Sequence, residues 1–246
     1  MEANGWRWAL LLGVLISCSP PQTSQPAPNL LEPAILNRMV RSGEKLILIN
    51  VMSQLECMDH SIPGSICIAG EELATEAPKL LPDKSRPLVF YCESNRCYRS
   101  AEAAAIAVKL GYQRVSVLRG GMPAWKRAGF DTVSQERIPR VPTESIKPEQ
   151  LARLLVKRGN LLILDIRAEE RFQEAHLPGA INIPLYRLHE RYAEIPLNRP
   201  VLVVDDRGLR SFLVTCYLVR KGLSDVKRLF GGMEGWQTYT APAKRR

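Results

Sequence analysis

Histidine is scarce in this chain: three stand far apart in 246 residues, and no cysteine–histidine set has zinc-ligand spacing. Neither a metal nor another cofactor is expected. No basic stretch is interleaved with aromatics, which make up only 7% of the residues, so nucleic acid is excluded as a partner. The net charge of +9 is mostly spread, with one short run at Lys244-Arg245-Arg246. It reads as a solvated basic surface, with a weak attraction to anionic lipid headgroups as the functional alternative. The apolar run at residues 8–16 is too short for a bilayer-spanning helix, which needs about 20 residues.

What is present is an ordinary globular composition, 46% hydrophobic and 24% charged, which argues against global disorder. The length suits two domains of about 100 residues each. The short apolar run has signal-peptide length and ends in Leu15-Ile16-Ser17-Cys18. That ending resembles the lipobox of bacterial lipoproteins, which implies lipidation of Cys18 after removal of the residues before it. Residues 19–28, rich in Pro, Ser and Gln, read as a flexible tether. Ser19, not an aspartate, favours the outer membrane by the same resemblance. The expected location is the cell envelope, lipid-anchored and facing the periplasm.

The remainder contains itself twice. Gly120-Gly121-Met122-Pro123-Ala124-Trp125 returns as Gly231-Gly232-Met233-Glu234-Gly235-Trp236, and Arg99-Ser100 returns as Arg210-Ser211, both at an offset of 111. Ile62-Pro63-Gly64 matches Leu177-Pro178-Gly179 at an offset of 115. So long a period means two copies of a whole domain. The first copy carries two extra residues in the loop after the strand that ends at Tyr91. Short apolar runs at 46–49 and 161–164 predict strands buried on both faces, and 87–91 with 200–204 and 115–118 with 226–229 are read as further matched strand pairs. Helices are expected at 100–110 and 211–221, stopped by Gly111 and Gly222. This alternation predicts an α/β fold with a parallel sheet in each copy. The expected domains are residues 29–130 and 144–241, joined by a linker at 131–143.

In the second copy, Asp165-Ile166-Arg167, Glu170-Arg171-Phe172 and the run from His176 to Pro184 closely resemble the N-terminal signature of rhodanese domains. The Gly-Gly-Met-x-x-Trp element of both copies resembles the C-terminal one. The resemblance implies two parallel five-stranded sheets flanked by helices on both faces, and commonly one working and one silent copy. It also places a sulfur-carrying cysteine at the end of the strand before the active loop, here Cys92.

A loop wrapping a helix start aims several N–H groups at one point, and a thiol held there is stabilised as a nucleophilic thiolate. Arg96 and Arg99 are the expected binders of a small anionic sulfur donor or acceptor. Six residues separate Cys92 from Arg99, where the family loop has four and related phosphatases five. Cys97 is a candidate redox partner of Cys92 in an oxidising envelope. In the second copy the usual loop length is kept, but Asp205 stands in the cysteine's place, with Arg210 matching Arg99. A carboxylate carries no persulfide, so this copy reads as silent, its role being to pack on the first, shape the cleft or bind an envelope partner. Cys57 aligns with Phe172 and Cys67 with Asn182, and both are read as packing positions; Cys216 is read as core. The first copy also lacks the Asp-x-Arg element, having Asn50-Val51-Met52, and its His60 sits one place early. Three readings follow: a sulfurtransferase or sulfur carrier using Cys92, a non-catalytic binding module, and a thiol-redox or phosphatase-like activity of the longer loop.

Overall fold

In the computed structural model, residues 28–93, 95, 98–157 and 159–241 are described. The lipobox with Cys18, and the loop residues Arg96 and Cys97, lie outside them. The first domain runs β1 (Asn29–Leu31), α1 (Pro33–Arg41), β2 (Ile47–Asn50), α2 (Gln54–Asp59), β3 (Ile66–Cys67) and α3 (Leu73–Leu80). It continues with β4 (Leu88–Tyr91), α4 (Tyr98–Lys109), β5 (Val115–Leu118) and α5 (Gly121–Arg127). The second repeats the order: β6 (Glu144–Ile146), α6 (Pro148–Val156), β7 (Leu162–Asp165), α7 (Glu169–Glu174) and β8 (Ile181–Asn182). There follow α8 (Leu185–Arg191), β9 (Val201–Val204), α9 (Ser211–Arg220), β10 (Val226–Leu229) and α10 (Gly232–Thr240).

Each sheet is parallel and five-stranded, ordered β1-β5-β4-β2-β3 and β6-β10-β9-β7-β8. The central strands Leu88-Val89-Phe90-Tyr91 and Val201-Leu202-Val203-Val204 are buried at every position, as strands covered by helices on both faces must be. Side chains alternate between two cores. Ile49, Phe90 and Cys92 face Ala103, Ala104 and Ala107 of α4, while Leu48, Val89 and Tyr91 face Leu36, Met122 and Trp125. The small alanines let α4 lie close to the sheet, just behind the Cys92 loop. The second domain alternates in the same way, with Leu164 and Val203 on one side and Ile163, Leu202 and Val204 on the other.

The domains share a core at one edge. Leu55 of α2 is fully buried within the second domain's cluster, beside Leu185 and Leu188 of α8. Arg187 reaches Glu72 at 3.3 Å across the same junction. The segment between the domains is bound along its length: Ile138 is buried, its N–H donates to Asp59 Oδ1 at 2.8 Å, and Arg140 pairs with Asp59 at 2.7 Å. Arg220, the last residue of α9, and Lys221 just after it pair with Glu136 at 3.2 and 3.7 Å from the other side.

One reading needs correction. Cys57 and Cys67 are not separate packing residues; they form a disulfide, with Cα atoms 6.2 Å apart. The bond ties α2 to β3. Comparing each cysteine singly with its counterpart, Phe172 or Asn182, hid the pairing. Cys216 is core, 1% exposed on α9, as read from the sequence.

Candidate active site

The site is easiest to build from the second domain, where the loop between β9 and α9 is described throughout. Asp205 follows the last strand residue, Val204, and points, like Val203, toward α9. Its carboxylate accepts three main-chain hydrogen bonds: from Gly208 N at 2.5 Å, Arg210 N at 2.7 Å and Ser211 N at 3.0 Å. These amides include the first of α9, whose dipole favours negative charge at that end. The side chain is 4% exposed, so the carboxylate itself occupies the anion cradle. Each charge-assisted bond of this kind contributes about 1.5–3 kcal/mol.

The floor of the cradle is the Gly-Gly-Met turn. Gly231 and Gly232 have φ of 72° and 57°, and Met233 N donates to Asp205 O at 2.8 Å. A Cβ on Gly232 would stand 2.4 Å from Asp205 O and 2.6 Å from Arg207 N. Glycine is required there by both dihedral and space. Met122 N makes the same bond to Cys92 O at 2.9 Å, above Gly120 and Gly121 at φ of 70° and 55°. Cys92 therefore occupies in the first domain the position that Asp205 occupies in the second.

Cys92 is 1% exposed and lies in the apolar cluster behind β4. Ser100 Oγ approaches its Sγ at 3.7 Å from the first turn of α4. Arg99 stands at the start of that helix, 3.4 Å from Glu71. Burial is the main influence on its guanidinium, and with the nearby charge of Arg210 it pulls the pKa below the usual arginine value.

The residue after Cys92 is held by a chain of charged groups whose full extent sequence reading did not find. His60 Nε2 meets Glu93 Oε2 at 2.7 Å, and its Nδ1 meets Asp59 Oδ2 at 2.9 Å. Lys126 stands 3.6 Å from Glu93 on the far side. The Glu93 hydrogen bond raises the His60 pKa despite partial burial. Burial tends to raise the Glu93 carboxyl, but His60 and Lys126 together hold it below its ordinary value. The one-place shift of His60 was the only signal of this arrangement. In the second domain His176 instead stacks on Phe172 and bonds its carbonyl at 2.8 Å.

The corner beside each loop is braced differently. In the second domain Arg167 and Asp165 form a buried pair at 2.7 Å, Arg167 also donates to Ala175 O, and Asn182 Nδ2 donates to the carbonyls of Asp165 and Arg167. In the first, Asn50 Oδ1 accepts from Met52 N at 3.2 Å and its Nδ2 donates to Ser61 Oγ at 3.4 Å, and the Cys57–Cys67 disulfide stands where Phe172 and Asn182 stand in the repeat. Trp125 anchors the element after the glycine turn, buried, with Nε1 donating to Asp131 O at 2.8 Å. Among the described residues, no cluster of His, Cys, Asp and Glu is arranged to hold a metal ion.

The rhodanese-like domain profile matches residues 32–128 and again 147–239. The chain belongs to the rhodanese-like family. Both of its domains are members, and several of the relatives are named as sulfurtransferases. The chain is 32% identical over 85 residues to the thiosulfate sulfurtransferase GlpE of Coxiella burnetii, covering 35% of this chain and 79% of that protein. It is 30% identical over 97 residues to a sulfurtransferase of Allochromatium vinosum, covering 39% and 91%. Among solved structures, a thiosulfate sulfurtransferase of Pseudomonas aeruginosa aligns with 87% of this chain at 22% identity and a TM-score of 0.43. This chain spans 43% of that protein's length.

Proposed function

We propose that this rhodanese-like protein is a sulfurtransferase or sulfur carrier of the cell envelope, working through Cys92 of the first domain. The observation that carries the reading is the amide cradle around Asp205, together with the matching anchorage of Cys92 over the first glycine turn. In the second domain a side chain at this point meets three N–H donors, and Cys92 stands at the equivalent backbone position of the first. The Cys92 thiolate attacks the outer sulfur of an anionic donor such as thiosulfate. The donor's S–S bond breaks, sulfite leaves with the electron pair, and a persulfide remains on Cys92. An acceptor nucleophile then takes the outer sulfur and restores the thiolate. Arg99 supplies charge for the anion, with Arg96 its expected companion.

The envelope location draws support from the Cys57–Cys67 disulfide, a bond that persists in oxidising compartments, and from the lipobox-like Cys18. Anchoring through lipid on Cys18 leaves the two domains facing the periplasm. Burial of Cys92 favours a second reading, a non-catalytic pair of domains in which one loop is closed by Asp205 and the other by packing. Release of sulfite from thiosulfate in the presence of a small thiol separates the two. Sulfite production by the wild type and none by Cys92→Ala supports transfer; equal, background release from both leaves the binding module.

A further inference from the structure

A cavity of about 140 Å³ lies between the domains. Ser53, Glu71 and Arg99 line it from the first domain, and Tyr186, Asp205 and Arg210 are among its walls from the second. Arg99 and Arg210 are the repeat-matched residues of the two loops, so the fold turns both loop arginines toward one space. Like charges brought together out of water destabilise one another unless something negative lies between them. Each loop arginine has one carboxylate at ion-pair distance, and the other carboxylates of the wall are held elsewhere, Asp206 facing Arg171 at 3.9 Å. Asp205 is met by three amides, Glu56 serves mainly as the cap of α2 through Ser53 at 2.7–3.3 Å, and it reaches Arg210 only at 3.5 Å. Glu71 stands 3.4 Å from Arg99. Arg167, the other buried guanidinium of this wall, is committed to Asp165. Among the described residues, one contact at 3.4 Å meets Arg99 and one at 3.5 Å meets Arg210, so most of their N–H donors face the space. A water occupies about 30 Å³ in the liquid, so the space suits an anion of a few heavy atoms.

We propose that Arg210, from the domain without a nucleophile, pairs with Arg99 to hold the oxyanion end of a small sulfur anion in this interdomain cavity. The silent domain then supplies half of the binding charge for the working loop. The sulfur identity of the anion rests on the Cys92 reading; the two-arginine site rests on the cavity itself.

Two measurements on the full-length chain test this. Calorimetric titration of thiosulfate into the Cys92→Ser protein, which forms no persulfide, reads binding alone. Arg210→Gln in that background is expected to weaken binding by about ten-fold, the loss of one charge-assisted contact, with Arg210→Lys intermediate. Arg187→Gln, which removes an interdomain ion pair outside the cavity, changes it by less than about two-fold. With Cys92 intact, Arg210→Gln raises the KM for thiosulfate by about ten-fold with little change in kcat. Turnover with an unchanged KM and affinity in Arg210→Gln overturns the proposal and leaves the Cys92 reading standing. Arg210-dependent binding with no sulfite release does the reverse.

Discussion

In the second domain the corner behind the loop is held by Arg167 on Asp165, with Arg167 4% and Asp165 1% exposed, and by Asn182 bridging two carbonyls. In the first domain Asn50 and Met52 stand at those places, and a disulfide between Cys57 and Cys67 ties the same elements together. The loops contrast in parallel. The domain with the ion-pair brace fills its cradle with its own carboxylate, while the domain with the covalent brace sets a sulfur at the equivalent point. A loop that closes on itself through three amide bonds is self-supporting. The Cys92 loop has no such carboxylate, and the elements beside it are tied by the disulfide and the His60–Glu93 contact.

The sharpest break between the domains is chemical. Cys92→Ala is expected to reduce sulfite release to background, whereas Asp205→Ala leaves the release intact and destabilises the second domain by about 1–3 kcal/mol by stranding its amides. Paired turnover and urea-unfolding measurements check both halves. Next in size is Arg167→Ala, which leaves Asp165 charged and buried and should cost the second domain about 3–5 kcal/mol in urea unfolding. Removing the disulfide as the Cys57→Ala, Cys67→Ala pair should cost about 2–4 kcal/mol in urea unfolding of the first domain. Gly232→Ala, with positive φ and a backbone clash, is expected to cost about 1–3 kcal/mol in thermal unfolding.

The smallest effect is that of pH. The His60 pKa is raised above 6.5 by its Glu93 and Asp59 partners. A raised histidine contributes its stabilisation in full below pH 6.5 and loses it as pH rises through the higher folded value. Asp59 and Glu93 are lowered and stay charged throughout that window. The first domain should therefore lose stability relative to His60→Gln as pH rises above about 6.5, followed by denaturant titration at each pH. Parallel curves for the two proteins contradict the pairing.

Much of the architecture was legible because the chain repeats itself. Runs such as 87–91 and 200–204 recur as whole strands, and two independent sequences giving the same alternation fix the fold more firmly than either alone. That Asp205 replaces the cysteine was legible from the residue type, but how the loop holds its carboxylate was not. Which amides a side chain accepts depends on the loop path, and only the structure shows three converging. The disulfide escaped because Cys57 and Cys67 were weighed one at a time. The available signal was their joint absence from the second domain, together with the joint absence of Asp165 and Arg167 from the first. The cavity was beyond reach, since a repeat specifies each domain's interior and not the face on which the two meet; Leu55, an ordinary helix leucine in the sequence, forms that contact.

Peptide mapping by mass spectrometry after thiosulfate treatment tests the central claim most directly, because it reports where the sulfur goes. One added sulfur atom on the peptide containing Cys92, removed by a thiol acceptor and missing in Cys92→Ala, is the expected result. No added sulfur, or sulfur found on Cys216 to the same extent, contradicts the account.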